Sequence, residues 1–155
     1  MSTNWFKDMQ DMHKKYGVNK WMQAEQQSDV PVRRLKEFME FRIGMMQEEL
    51  DETKKAFEQK DAPEMVDGII DLCVFAIGTL EAFGVDANKA WDEVYKANMS
   101  KEVGVKEGRP NPLGLPDLVK PEGWEEAYFN RPKTYSPKRW PHSLSCRNAL
   151  SDFSC

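Results

Sequence analysis

The sequence predicts an all-α protein: an antiparallel bundle of about four helices, followed by an irregular segment rich in proline and glycine. Apolar residues recur at helical spacing through the first hundred residues. Seven of the nine prolines lie between Pro110 and Pro141, where regular helices cannot continue. We therefore expect a helical domain over residues 1–125 and an irregular basic tail over residues 126–155.

The first helix is predicted at residues 4–16, where apolar side chains share one face. Gly17 would end it, because glycine readily adopts the left-handed conformation found at helix C-termini. A polar loop is expected over residues 26–29.

The second helix is predicted from about Val32 to Gln59, after Pro31, which suits a first helical turn. One apolar stripe at 3.6-residue spacing is its predicted core face. The stripe consists of Met39, Ile43, Met46, Leu50 and Phe57.

The third helix is predicted from an N-cap at Asp61 to about Phe83, and a fourth from Asp86 to about residues 98–101. The short connection between the second and third helices predicts that they pack antiparallel. Trp91 on the fourth helix is expected in the core, and turns with a small hairpin should follow. The third helix has a predicted apolar stripe of Val66, Ile70, Cys73 and Ile77.

Composition excludes several classes of protein. The net charge of −4 argues against a nucleic-acid binder with a large basic face. No apolar run approaches the roughly 20 residues of a membrane span. Three scattered cysteines suit neither a disulfide framework nor a zinc cluster, so we expect a reducing, cytoplasmic location. The two histidines are too few for a His-rich metal site, and neither forms the Glu-x-x-His pair of a di-iron bundle.

Acidic residues cluster at the junction of the second and third helices. Residues 48–71 contain nine acids and three lysines. Glu49 and Glu52 are three residues apart and therefore adjacent on one helix face. Glu64, Asp67 and Asp71 form a similar line on the next helix. Antiparallel packing would set these two acidic lines against each other across the helix–helix groove.

Clustered carboxylates repel one another, and a hard divalent cation relieves that repulsion. The pattern is therefore typical of metal-assisted hydrolysis of a phosphate anhydride. The alternative is an ordinary solvated acidic face. Gly68 lies between the acids and leaves room either for a ligand or for close packing of another helix. Residue spacing alone leaves both interpretations open.

The order Glu48-Glu49-x-x-Glu52 and then Glu64-x-x-Asp67 resembles the EExxE…ExxD signature of the MazG-like all-α nucleoside triphosphate pyrophosphatases. That superfamily includes dimeric dUTPases, dCTP pyrophosphatases and phosphoribosyl-ATP pyrophosphatase. The resemblance covers roughly residues 32–125, including a terminal segment from Gly108 to Trp124.

The resemblance implies a metal-dependent enzyme that converts a (deoxy)nucleoside triphosphate and water into the monophosphate and pyrophosphate. dGTP or dCTP is the favoured substrate. Mg²⁺ or Mn²⁺ would be the cofactor, and the protein would form a homodimer or homotetramer. Either Glu52 or Glu49 would activate the water. The implied metal ligands are Glu49, Glu52, Glu64 and Asp67.

Four further residues are candidates for substrate binding. Asp71 extends the acidic line, although it also suits a solvated aspartate. Asn98 and Lys101 would reach phosphate or base, although a lysine there also suits a helix C-terminus. Trp21 is a candidate for stacking on the nucleobase. The remaining alternatives are phosphoribosyl-ATP as the substrate, or a helical interaction module without enzymatic activity.

Overall fold

The computed structural model describes residues 4–124, which fold into five helices and one small two-stranded sheet. The all-α class is thereby confirmed, with one helix more than the sequence predicted. The predicted tail at residues 126–155 lies outside the described part of the chain. The helices are α1 (Trp5–Tyr16), α2 (Val18–Gln26), α3 (Pro31–Gln59), α4 (Ala62–Ala82) and α5 (Ala87–Met99), and the strands are β1 (Glu102–Gly104) and β2 (Asp117–Val119).

Gly17 joins the first two helices. Its φ of 78° is left-handed, and its N–H donates to the carbonyl of His13, so it ends α1 as predicted. The same residue is the N-cap of α2, a helix that the sequence analysis missed. The miss has a physical reason: α2 is nine residues long and mostly polar, so too few apolar residues recur to reveal a helical period.

Helices α3 and α4 form the long antiparallel hairpin that the sequence predicted. Lys60 ends α3 in a left-handed conformation with a φ of 58°. The carboxylate of Asp61 then accepts a hydrogen bond from the backbone N–H of Glu64 and caps α4. Because Thr53 lies opposite Gly68 and Arg42 opposite Thr79, the two helices run in opposite directions.

The face of α4 that packs on α3 is made of small residues, and this corrects the predicted core stripes. Gly68, Gly78, Thr79 and Ala82 are buried on α4. Small side chains let the helix axes approach closely, so the bulky residues turn outward. The outward residues from the predicted stripes include Ile43 (55% exposed), Leu50 (40%), Phe57 (69%), Val66 (62%) and Ile70 (42%).

The apolar core lies at the end of the hairpin remote from the α3–α4 turn. Met22 of α2, Leu35 of α3 and Ala82 of α4 form it together with Phe83. Trp91 on α5 is 68% exposed, so the expectation that it packs in the core is wrong for this chain. Within residues 4–124, no helix is both long and apolar enough to cross a membrane.

The predicted hairpin after the last helix is present. Strands β1 and β2 pair antiparallel, with Glu102 opposite Val119 and Gly104 opposite Asp117. Asp117 accepts a hydrogen bond from the ammonium of Lys106, which holds the pKa of that carboxyl below its usual value.

Candidate functional site

The α3–α4 crossing positions the acidic residues. A Cβ atom at Gly68 would lie 2.5 Å from Thr53 Oγ1 and 3.3 Å from the backbone oxygen of Glu49. The two helices therefore touch at Gly68, and Asp67 and Asp71 flank this point on α4. Glu49 is half-buried beside the contact. Close packing of the helices, one of the two explanations offered for Gly68, is what the structure contains.

The carboxylates of the two helices act on one another at this crossing. The pKa of Glu49 is raised, first by its partial burial and then by the negative charge of Asp71, followed by other carboxylates. Charge effects of this kind act over longer distances than direct contact. The charges that act on Glu49 are those of Glu52 and Glu48 on α3 and of Asp67 and Asp71 on α4.

Glu64 is exposed in the first turn of α4, where its backbone N–H donates to Asp61. Among the carboxylates, Asp71 has the largest charge effect on Glu49, and its predicted role as a substrate contact stays a prediction.

The described side chains are not arranged as a closed metal site. Between residues 4 and 124, no three His, Cys, Asp or Glu side chains are grouped closely enough to hold a metal ion. The donor chemistry nevertheless suits Mg²⁺ or Mn²⁺, because carboxylate oxygens are the hard ligands that these ions prefer. The ligand set of Glu49, Glu52, Glu64 and Asp67 therefore stays a prediction.

Trp21 lines a groove between α1, α2 and the first turns of α3. Its ring centroid lies 5.2 Å from that of Phe38, and the guanidinium of Arg34 lies 5.8 Å from its ring. The groove has a volume of about 490 Å³. Its lining includes the aromatic residues Tyr16, Trp21, Phe38 and Phe41.

Asn98 and Lys101 meet at the C-terminus of α5. The ammonium of Lys101 donates to Asn98 Oδ1 at 2.8 Å and lies 5.1 Å from the ring centroid of Trp124. The indole N–H of Trp124 donates to the carbonyl of Ala97 at 2.8 Å. These contacts attach the segment after β2 to the end of α5.

Sequence analysis missed a buried polar network that holds α1 against the hairpin. The imidazole of His13 and the carboxylate of Glu81 are 2.5 Å apart, and both side chains are almost fully buried. The guanidinium of Arg42 donates to Thr79 and to the carbonyl of Phe75, and burial lowers the pKa of Arg42. A signal for the network did exist, because Glu81 is the one acid between residues 72 and 85 and a buried carboxylate requires a partner.

Comparison with known proteins agrees with this architecture. The family model described as phosphoribosyl-ATP pyrophosphohydrolase matches residues 17–98, which is more than half of the chain. The protein is therefore a member of the MazG-like all-α nucleoside triphosphate pyrophosphatase superfamily. Within that superfamily it belongs to the phosphoribosyl-ATP pyrophosphohydrolase family, and this membership supports a pyrophosphohydrolase function. No curated protein matches the chain.

Proposed function

We propose that the protein is a metal-dependent (deoxy)nucleoside triphosphate pyrophosphohydrolase that releases the monophosphate and pyrophosphate, with dGTP or dCTP as the favoured substrate. The observation that carries the proposal is the close contact of α3 and α4 at Gly68, which places half-buried Glu49 beside Asp67 and Asp71 of α4. The charges of those acids add to the effect of partial burial in raising the pKa of Glu49. A surface that is merely solvated would keep such charges apart. A site for divalent cations requires them together.

In this proposal Glu49, Glu52, Glu64 and Asp67 would hold Mg²⁺ or Mn²⁺, which when bound would supply polarisation of the phosphoryl oxygens. Glu49 or Glu52 would orient the attacking water and accept its proton. Asp71, half-buried beside Glu49, steers the orientation of the Glu49 carboxylate by charge.

The groove at Trp21 suits the nucleobase. Phe41 at its edge precedes Glu49 by eight residues on α3, which corresponds to about 12 Å along a helix axis. An extended nucleoside triphosphate can bridge that separation. The base would then stack on Trp21, and the triphosphate would reach the acids.

A second copy of the chain is the proposed partner. Phe57 on α3, Val66 on α4 and Trp91 on α5 are each more than 60% exposed. Exposed apolar surface of this extent on consecutive helices marks an interaction face. We assign it to a homodimer or homotetramer, because burial against another copy would cover it.

Phosphoribosyl-ATP is the second candidate substrate, and the family match favours it. Its triphosphate is cut at the same anhydride bond, so the same acids would serve. The two candidates differ only in what occupies the groove at Trp21.

A substrate screen tests both candidates. The protein is incubated with Mg²⁺ and each of the eight common nucleoside triphosphates or phosphoribosyl-ATP, and the products are separated chromatographically. We expect monophosphate and pyrophosphate from at least one of them. Glu49→Gln should lose the activity, whereas Glu40→Gln, which changes an exposed glutamate of the same helix, should keep it.

Two outcomes of the screen would contradict the proposal. Nucleoside diphosphate and inorganic phosphate would show that a different bond is cut. The absence of hydrolysis, together with no divalent-metal effect on the melting temperature, would instead favour a helical interaction module without enzymatic activity.

A further inference from the structure

The open end of the β1–β2 hairpin brings two lysines together. Glu102 pairs with Val119, so Lys101 and Lys120 are the next residues opposite each other. Their ammonium groups lie 5.1 and 4.4 Å from the centroid of one indole ring, that of Trp124. Like charges directly opposite across an antiparallel pair destabilise it. The fold therefore places two positive charges side by side at this end of the hairpin.

Lys101 differs from the other cations of the hairpin. The ammonium of Lys106 lies 3.0 Å from the carboxylate of Asp117, and the guanidinium of Arg109 lies 3.6 Å from it. Lys101 is half-buried and bonded to the neutral amide of Asn98, and among residues 4–124 no carboxylate lies within ion-pair distance of it. Its charge is held in place without being neutralised by an acid.

Trp124 makes this cluster a built feature of the fold. Its indole N–H donates to the carbonyl of Ala97, in the last turn of α5. That bond fixes the ring against the helix end, and the ring in turn holds both ammonium groups by cation–π attraction. The lysines are thus positioned before any ligand arrives.

We propose that Lys101, Lys120 and Trp124 form a subsite for a diphosphate group, with the two ammonium groups binding adjacent phosphoryl groups. A diphosphate carries several negative oxygens on two linked centres, which matches two positioned point charges. The inference deepens the proposed function, because Asn98 and Lys101 are among its substrate-binding residues. It adds Lys120 and Trp124, and it specifies the pyrophosphate part of the substrate as their ligand.

Binding of inorganic pyrophosphate to the full chain tests the subsite. Isothermal titration calorimetry in the presence of a chelator excludes both metal and hydrolysis. Lys120→Gln should weaken binding about fivefold, and Lys120→Arg should restore most of it. Lys96→Gln is the matched control, because it removes the same charge from the same end of α5 at an exposed position. Its affinity should stay within about twofold of wild type.

The outcomes separate this inference from the proposed function. If pyrophosphate binds and Lys120→Gln weakens it while no triphosphate is hydrolysed, the subsite stands and the proposed enzyme falls. Unchanged affinity in Lys120→Gln overturns the subsite even if hydrolysis is observed. Equal weakening by Lys96→Gln overturns it as well, because net charge alone would then explain the binding.

Discussion

Substitution of Gly68 by alanine should displace the two halves of the acidic site. The new Cβ would lie 2.5 Å from Thr53 Oγ1 and 3.3 Å from the carbonyl oxygen of Glu49. The hydroxyl of Thr53 donates to that same carbonyl at 2.8 Å, and its short branched side chain cannot swing far away. Overpacking of this kind costs about 1–3 kcal/mol, and alanine returns about 1 kcal/mol in helix propensity. We expect a net loss of up to about 2 kcal/mol of stability, with a larger proportional loss of activity.

Urea denaturation and product formation measure the two effects. Gly44→Ala is the matched control, because no atom lies within 4 Å of its added Cβ on α3, and it should stabilise the protein by up to about 1 kcal/mol. Thr53→Ala should restore part of the loss in the Gly68→Ala background, since it removes the closest atom. If Gly68→Ala is as stable and as active as Gly44→Ala, the close crossing does not position the site.

Three further predictions concern the buried network, the acids and the exposed face. Arg42→Met should cost about 3 kcal/mol, because it breaks buried hydrogen bonds, whereas Arg33→Met, which removes an exposed ion pair, should cost far less. Chemical denaturation separates the two, and equal losses would contradict the assignment. Because the pKa of Glu49 is raised, protonation of this residue stabilises the folded, metal-free protein. That stability is present below about pH 4 and is lost as the pH rises through the raised pKa. Melting temperatures measured across pH should therefore fall less in Glu49→Gln than in the wild type as the pH rises. Profiles that run parallel for the two proteins would argue against this effect of Glu49. Phe57→Ser should shift the protein toward monomer in light scattering if a second copy covers this exposed ring, and an unchanged mass would refute that face.

Local signals in the sequence predicted most of the helix boundaries. Gly17 ends α1, Asp61 caps α4 and Asp86 caps α5, as expected from their residue types. Such signals depend only on neighbouring residues, so a single sequence contains them. Helix α2 was not predicted, because nine residues contain too few apolar positions to distinguish a helix from a loop.

The direction in which each helix faces could not be predicted in the same way. Two apolar faces compete on α3, and hydrophobicity alone favoured the face with Ile43 and Phe57. The side that packs on α4 was decided by contacts with that helix, above all at Gly68, where the backbone and Thr53 side chain of α3 leave no room for a larger residue. The acidic spacing predicted that the acids of α3 and α4 face the same groove, and the charges of Asp67 and Asp71 do act on Glu49. The distance between residues on two helices depends on how the helices cross, so spacing alone could not rank the acids.

The central claim is that carboxylates from α3 and α4 together bind a divalent cation. A titration with Mn²⁺ followed by electron paramagnetic resonance measures that binding directly, without requiring turnover. We predict that the wild-type protein binds Mn²⁺ and that Glu49→Gln on α3 and Asp67→Asn on α4 each weaken binding at least about tenfold. Equal affinity in the wild type and both variants would contradict the claim.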